Sequence, residues 1–174
     1  MIRVAIALLY AHWEGFVKKA AANYLRFLSG QGLRHDELQP CFVTLSVNNK
    51  FKLNQFENQI KVVKLIEVVD FLINRLGTRS EIPYEGIIDA SNLNFDVFKE
   101  ICLILNLEYQ KYEMDQKLID SQLFGKRNKV VHGDGNQVDI DYDEYENIHT
   151  KVIGLMRQVK NDIAYSANSK EYLK

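Results

Sequence analysis

Large apolar groups recur at Leu9, Trp13, Phe16, Ala20, Tyr24 and Phe27, in steps of three and four that keep one side of an α-helix apolar. The spacing predicts one helix over 2–29. It is closed by Ser29-Gly30-Gln31-Gly32, where glycine can take the left-handed conformation that ends a helix. Glu14 and Lys18 form an i,i+4 pair of favourable polarity, suited to the solvent side of that helix. Segment 36–50 is ambiguous, because CFVTLSV is β-branched, but a lone strand has nothing to pair with and a helix is expected. Residues 54–76 carry Phe56, Ile60, Val63, Ile66 or Glu67, Val69 or Asp70 and Ile73, a helical spacing stopped by Gly77-Thr78-Arg79-Ser80 and Ile82-Pro83.

A loop is expected over 81–92, after which Asn92 or Asn94 can cap a helix whose buried stripe is Phe95, Phe98, Ile101, Cys102 and Leu105. A further helix is predicted from about Asp115 through Leu118, Ile119, Leu123, Phe124, Val130 and Val131. Asp141-Tyr142-Asp143-Glu144 has the D-x-x-E form of a capping box and opens a last helix, to about Tyr165. The tail, 166–174, is polar and expected to fray. With no internal repeat and no low-complexity tract, the pattern predicts an all-α bundle of four to five core helices in a single domain over 1–174.

Composition agrees with a folded domain: 47% hydrophobic and 26% charged residues, with two prolines and nine glycines, leave little room for disorder. A net charge of −1 excludes the broad basic field of a general nucleic-acid coat protein, so any nucleic-acid contact must be local. Cys41 and Cys102 are widely spaced in apolar surroundings, which points to buried free thiols and a cytoplasmic setting. The opening run MIRVAIALLY has the look of a signal peptide but fails at His12-Trp13-Glu14, and no stretch is long and apolar enough to span a bilayer, so no membrane partner is expected. Because the chain begins inside a predicted helix, it is compatible with a longer upstream segment.

The stretch GKRNKVVHGDG, 125–135, carries the candidate chemistry. Arg127 and His132 are five residues apart, about 140° around a continuous helix. Gly133-Asp134-Gly135 marks the helix end, where the last turn can widen and the arginine stem can reach the histidine. A histidine there feels the negative end of the helix dipole, which favours its protonated form. Arginine offers a forked donor matched to phosphate oxygens, and Asn128 adds a neutral donor and acceptor. The plainer reading is that Lys126, Arg127, Lys129 and His132 are the cations that ordinarily decorate a helix C-terminus.

The string Arg127-Asn128-Lys129-Val130-Val131-His132-Gly133 resembles the R-x-x-x-x-H signature of the HEPN superfamily, in which asparagine often follows the arginine and glycine the histidine. ALLYAHWEGFVKKAAANYL, SNLNFDVFKEICLIL and IDSQLFGKRNKVVHG are similar to blocks of the MAE-type bacterial HEPN-like nucleases. The resemblance implies a four- or five-helix bundle acting as a cofactor-free, metal-independent ribonuclease. It further implies a homodimer with two motifs facing across a shared cleft, often in toxin–antitoxin, phage-defence or stress systems. It gives the histidine role to His132, the arginine role to Arg127 and the polar helper role to Asn128. Lys126 and Lys129 are expected to guide the RNA backbone. Asp134 stands where some HEPN toxins carry a tyrosine modified by a nucleotidyltransferase antitoxin, so that partnership is not implied.

Other candidates rank lower. Asp139, Asp141, Asp143, Glu144 and Glu146 suit a helix start better than a metal site. His12 and His149 stand alone. Trp13 can stack a base, but its place on the apolar stripe favours the core, and Glu14, off that stripe, can support a catalytic group from behind. The competing functional readings are a non-catalytic HEPN module that binds RNA or a nucleotide, and a helical interaction subunit serving as an antitoxin or defence-system component.

Overall fold

The computed structural model describes residues 2–52, 61–88, 91–131 and 140–174. They form six α-helices: α1 (Ile2–Gly30), α2 (Pro40–Phe51), α3 (Lys61–Asn74), α4 (Phe95–Ile104), α5 (Lys126–Val131) and α6 (Tyr142–Asn168). Short 3₁₀ segments cover His35–Glu37 and Tyr109–Asp115, and a π-helical segment, Leu118–Gly125, runs directly into α5. Among the described residues there is no strand, only isolated bridges between Arg34 and Arg79 and between Leu38 and Leu173. Nor is any helix there long and apolar enough to cross a membrane. The chain is all-α, as its periodicity predicts. CFVTLSV is helical, with Pro40 in the first turn, where its missing N–H costs nothing.

Caps form where the sequence places them. Asn94 Oδ1 accepts from the Val97 N–H at 2.9 Å, and Asp141 Oδ1 accepts from the Glu144 N–H at 2.8 Å, each satisfying a donor that the first helical turn leaves unpaired. The opening part of the helix expected from residue 54, through Ile60, lies outside the described residues, as does Asp139.

One core unites the helices, with α1 packed chiefly against α6 and α5. Trp13 is fully buried and meets Phe98 at 5.4 Å between ring centroids; Phe98 in turn meets Tyr112 edge-on at 5.1 Å. Tryptophan therefore serves packing rather than base stacking. The buried side of α1 runs through Ile6, Leu9, Tyr10, Trp13, Val17, Ala21, Tyr24, Leu25 and Leu28, a face rotated from the expected stripe. Phe16 and Ala20 are only partly buried and Phe27 is exposed. Spacing alone cannot decide between two adjoining apolar faces on a helix that is apolar over much of its circumference.

Two expectations are corrected. The tail does not fray. Tyr172 and Ser166 are buried, Ser166 Oγ shares a hydrogen bond with Tyr24 at 2.9 Å, and the Leu173 carbonyl accepts from Gln39 Nε2 at 2.5 Å. A polar stretch carrying one well-placed aromatic has enough to dock. The predicted helix from Asp115 to Val131 is not a uniform α-helix either, because eight of its residues are wound as π.

Candidate active site

The π segment sets the orientation of everything after it. Its i→i+5 bonding takes up roughly one extra residue per turn, so α5 starts rotated relative to a continuous α-helix. Gly125 closes it. A Cβ at this position would sit 3.1 Å from the Asp120 carbonyl oxygen, a squeeze that glycine avoids. Asp120 is itself anchored, its carboxylate accepting from the Phe95 N–H at 2.7 Å at the start of α4.

Arg127, on α5, is held on three sides. Its Nη1 donates to Asn128 Oδ1 at 2.7 Å and to Asn92 Oδ1 at 3.3 Å, and its guanidinium carbon lies 5.2 Å from the centre of the Tyr10 ring on α1. Asn92 adopts φ +70°, in the left-handed region that asparagine tolerates better than most residues. The ring face attracts the cation, and the amide oxygens fix its plane.

Tyr10, Glu14, Lys18, Arg127 and Val131 line a cavity of about 370 Å³ with Ala7, Ala11 and Gly15. Glu14 accepts from Lys18 Nζ at 2.7 Å. Burial opposes its ionisation, but the Lys18 hydrogen bond, the Tyr10 phenol and the Lys18 charge outweigh that and hold its carboxyl below the usual range. Burial, then the neighbouring Glu14, raises the Tyr10 phenol well above its ordinary value, and its hydroxyl makes no hydrogen bond of good geometry. The cavity thus pairs a fixed guanidinium with an ionised carboxylate that Lys18 already engages.

Arg127 and Asn128 are directly bonded, and Glu14 lines the same cavity as Arg127. His132 follows α5 immediately and, with Gly133 and Asp134, lies outside the described residues. Lys129 is exposed. Lys126 instead reaches α6, bonding Glu144 at 2.7 Å with its side chain 19% exposed, which ties α5 to the closing helix and neutralises the charge expected for RNA guidance. Glu144 is thereby a structural partner; Asp141 is a cap.

Tyr10 and Asn92 join the site without having been marked in the sequence. Tyr10 stands one turn before Glu14, the only local signal. Asn92 is 35 residues from Arg127 in the chain, and nothing local links them.

A larger apolar groove, about 1180 Å³, runs along the other side of α1 against α6. Its lining includes Phe16, Phe27 and Tyr145 with His12, His149, Lys19 and Lys160, and no carboxylate among the described residues. Ala11 and Gly15 line both spaces, so two small residues on α1 form the low divide between them.

An all-helical bundle with an arginine–asparagine pair on the short helix before the closing one agrees with the HEPN resemblance of the sequence. The RiboL-PSP-HEPN family model matches residues 1–165, and the chain belongs to that HEPN family, whose members are generally associated with ribonuclease activity. No curated protein and no solved structure gives a significant match.

Proposed function

We propose that this chain is a metal-independent endoribonuclease, acting as a homodimer in a toxin–antitoxin, phage-defence or stress system. The observation that carries the reading is Arg127, pinned between the Tyr10 ring and two asparagine oxygens on the helix that leads directly into His132. A guanidinium held in one plane needs little reorganisation when charge builds on phosphoryl oxygens, the condition for electrostatic stabilisation of a transition state.

In this mechanism His132 takes the proton from a ribose 2′-OH, and the 2′-oxygen attacks the adjacent phosphorus. The P–O5′ bond breaks, leaving a 2′,3′-cyclic phosphate and a free 5′-hydroxyl, with the leaving oxygen protonated by a second His132 across the dimer. The nucleophile belongs to the RNA, so the reaction needs no metal. Asn128 and Asn92 orient Arg127, and Glu14 supports it as a carboxylate in the same cavity. The groove beside the cavity offers aromatic and cationic side chains with no carboxylate among the described residues, a lining suited to a single strand. Lys129 adds an exposed cation.

The test is cleavage of total RNA in excess EDTA by wild type, Arg127→Ala and His132→Ala, with analysis of product ends. Cleavage by wild type alone, leaving cyclic phosphates, is the expected result. Equal inertness of wild type and both variants, with RNA still bound, would replace this reading with a non-catalytic HEPN module.

A further inference from the structure

Helix α3 buries Val68 and Phe71 against the bundle and leaves seven large apolar side chains, Val62, Val63, Leu65, Ile66, Val69, Leu72 and Ile73, between 37% and 73% exposed. By the 100° step of an α-helix, Val62, Ile66, Val69 and Ile73 form a single stripe opposite Val68 and Phe71. The helix therefore has two apolar faces. We propose that the outer one is a self-association surface, on which α3 of a second copy of this chain packs antiparallel.

Three observations select a second copy. The stripe is spaced four, three and four residues apart, the step pattern of a helix–helix seam, and it reads the same in either direction. A two-fold axis near Glu67 and Val68 then sets Ile66 of one copy against Val69 of the other, and Val62 against Ile73, so the surface complements itself. No described charge on α3 would be stranded. Lys64 bonds Glu67 at 2.8 Å and Asp70 accepts from Asn74 at 2.8 Å, so these four polar groups of α3 are paired within the helix, off the stripe. The seven side chains leave an apolar surface on the order of 600 Å², as large as a monomer ordinarily carries and close to the roughly 800 Å² per partner of a standard interface.

This surface is separate from the candidate active site. Helix α3 packs on the bundle through α2, whereas the Arg127 cavity lies between α1 and α5. Pairing through α3 is thus independent of whether the chain cleaves RNA or shares a cleft with another copy.

The experiment compares the solution mass of wild type with that of Ile66→Glu/Val69→Glu by light scattering at tens of micromolar, with circular dichroism as the check on folding. The wild-type mass is expected to be twice that of the folded double variant. In a second arm, Ile66→Cys and Val69→Cys proteins are mixed and oxidised, and a disulfide-linked pair of the two is expected, with Val63→Cys mixed with either as the weaker control. Equal masses for wild type and a folded double variant overturn the proposal, including the case where the stripe instead meets a different protein or a membrane. If the double variant does not fold, absence of the disulfide between the Ile66→Cys and Val69→Cys proteins overturns it.

Discussion

Helices α1 and α3 are both rich in apolar residues, yet they do opposite things with them. In α1 nine side chains go into the core, and other residues of the helix line a groove on one side and the Arg127 cavity on the other. In α3 only Val68 and Phe71 are buried among the described residues, and Ile73 is its most exposed large apolar side chain. Apolar content states how much surface a helix wants covered; position in the bundle decides what covers it. α1 runs through the centre, touching α5, α6 and the π segment, whereas α3 sits at the edge on α2.

The largest expected effect lies on the α1 side. Trp13→Ala should cost about 3–5 kcal/mol, because the indole is fully enclosed and its removal leaves a cavity beside Phe98. Ile66→Ala, read at concentrations where copies stay apart, should fall within about 0.5 kcal/mol of wild type. Urea denaturation measures both, and an α3 substitution as costly as the tryptophan would abolish the contrast.

Next is the site that α1 shares with α5. Arg127→Ala should lower the cleavage rate about 10²–10³-fold while leaving the melting temperature nearly unchanged. Tyr10 sharpens this. Tyr10→Phe keeps the ring under the guanidinium and removes only a hydroxyl that lacks a good partner, so cleavage should persist; Tyr10→Leu should weaken it by roughly a factor of 2–30, the worth of a cation–π contact. Equal rates for the phenylalanine and leucine variants would remove Tyr10 from the site.

A smaller effect belongs to the cap of α4, whose Phe98 closes over Trp13. Asn94→Ala should cost about 1 kcal/mol, seen as a shifted urea midpoint with unchanged slope.

The smallest is the acid limb of stability. The Glu14 carboxyl is held below its ordinary value when folded, so its contribution is present above the unfolded pKa and is lost as pH falls through the lower, folded one. Replacing Glu14 with glutamine should flatten the stability curve below the usual carboxylate range and leave its neutral-pH shape alone. An unchanged acid limb would show that Lys18 and Tyr10 do not hold that carboxylate.

Much of this was legible locally. The Asn94 and Asp141 caps, the α4 stripe and the ends of α1 depend on residues within a turn or two of one another, and each formed where pattern and turn chemistry place it. Arg127, Asn128 and Glu14 stood out by residue type. Asn92, brought to Arg127 from a loop, did not, and neither did the loss of Lys126 to Glu144. The π winding also escaped. Gly125 hints at it, but a widened turn has the same apolar residues as an α-helix and differs only in which carbonyl each N–H finds.

The sequence by itself determined helices, their caps and the residue types at a HEPN motif, because 3.6-residue periodicity, capping and glycine conformations act over a few residues. Only the tertiary structure decided which face of α1 is core, why α3 turns an apolar stripe outward, how the tail docks through Tyr172, and that Tyr10 and Asn92 fix Arg127. Those outcomes depend on which distant segments meet, and burial is a property of the assembled bundle rather than of any stretch within it.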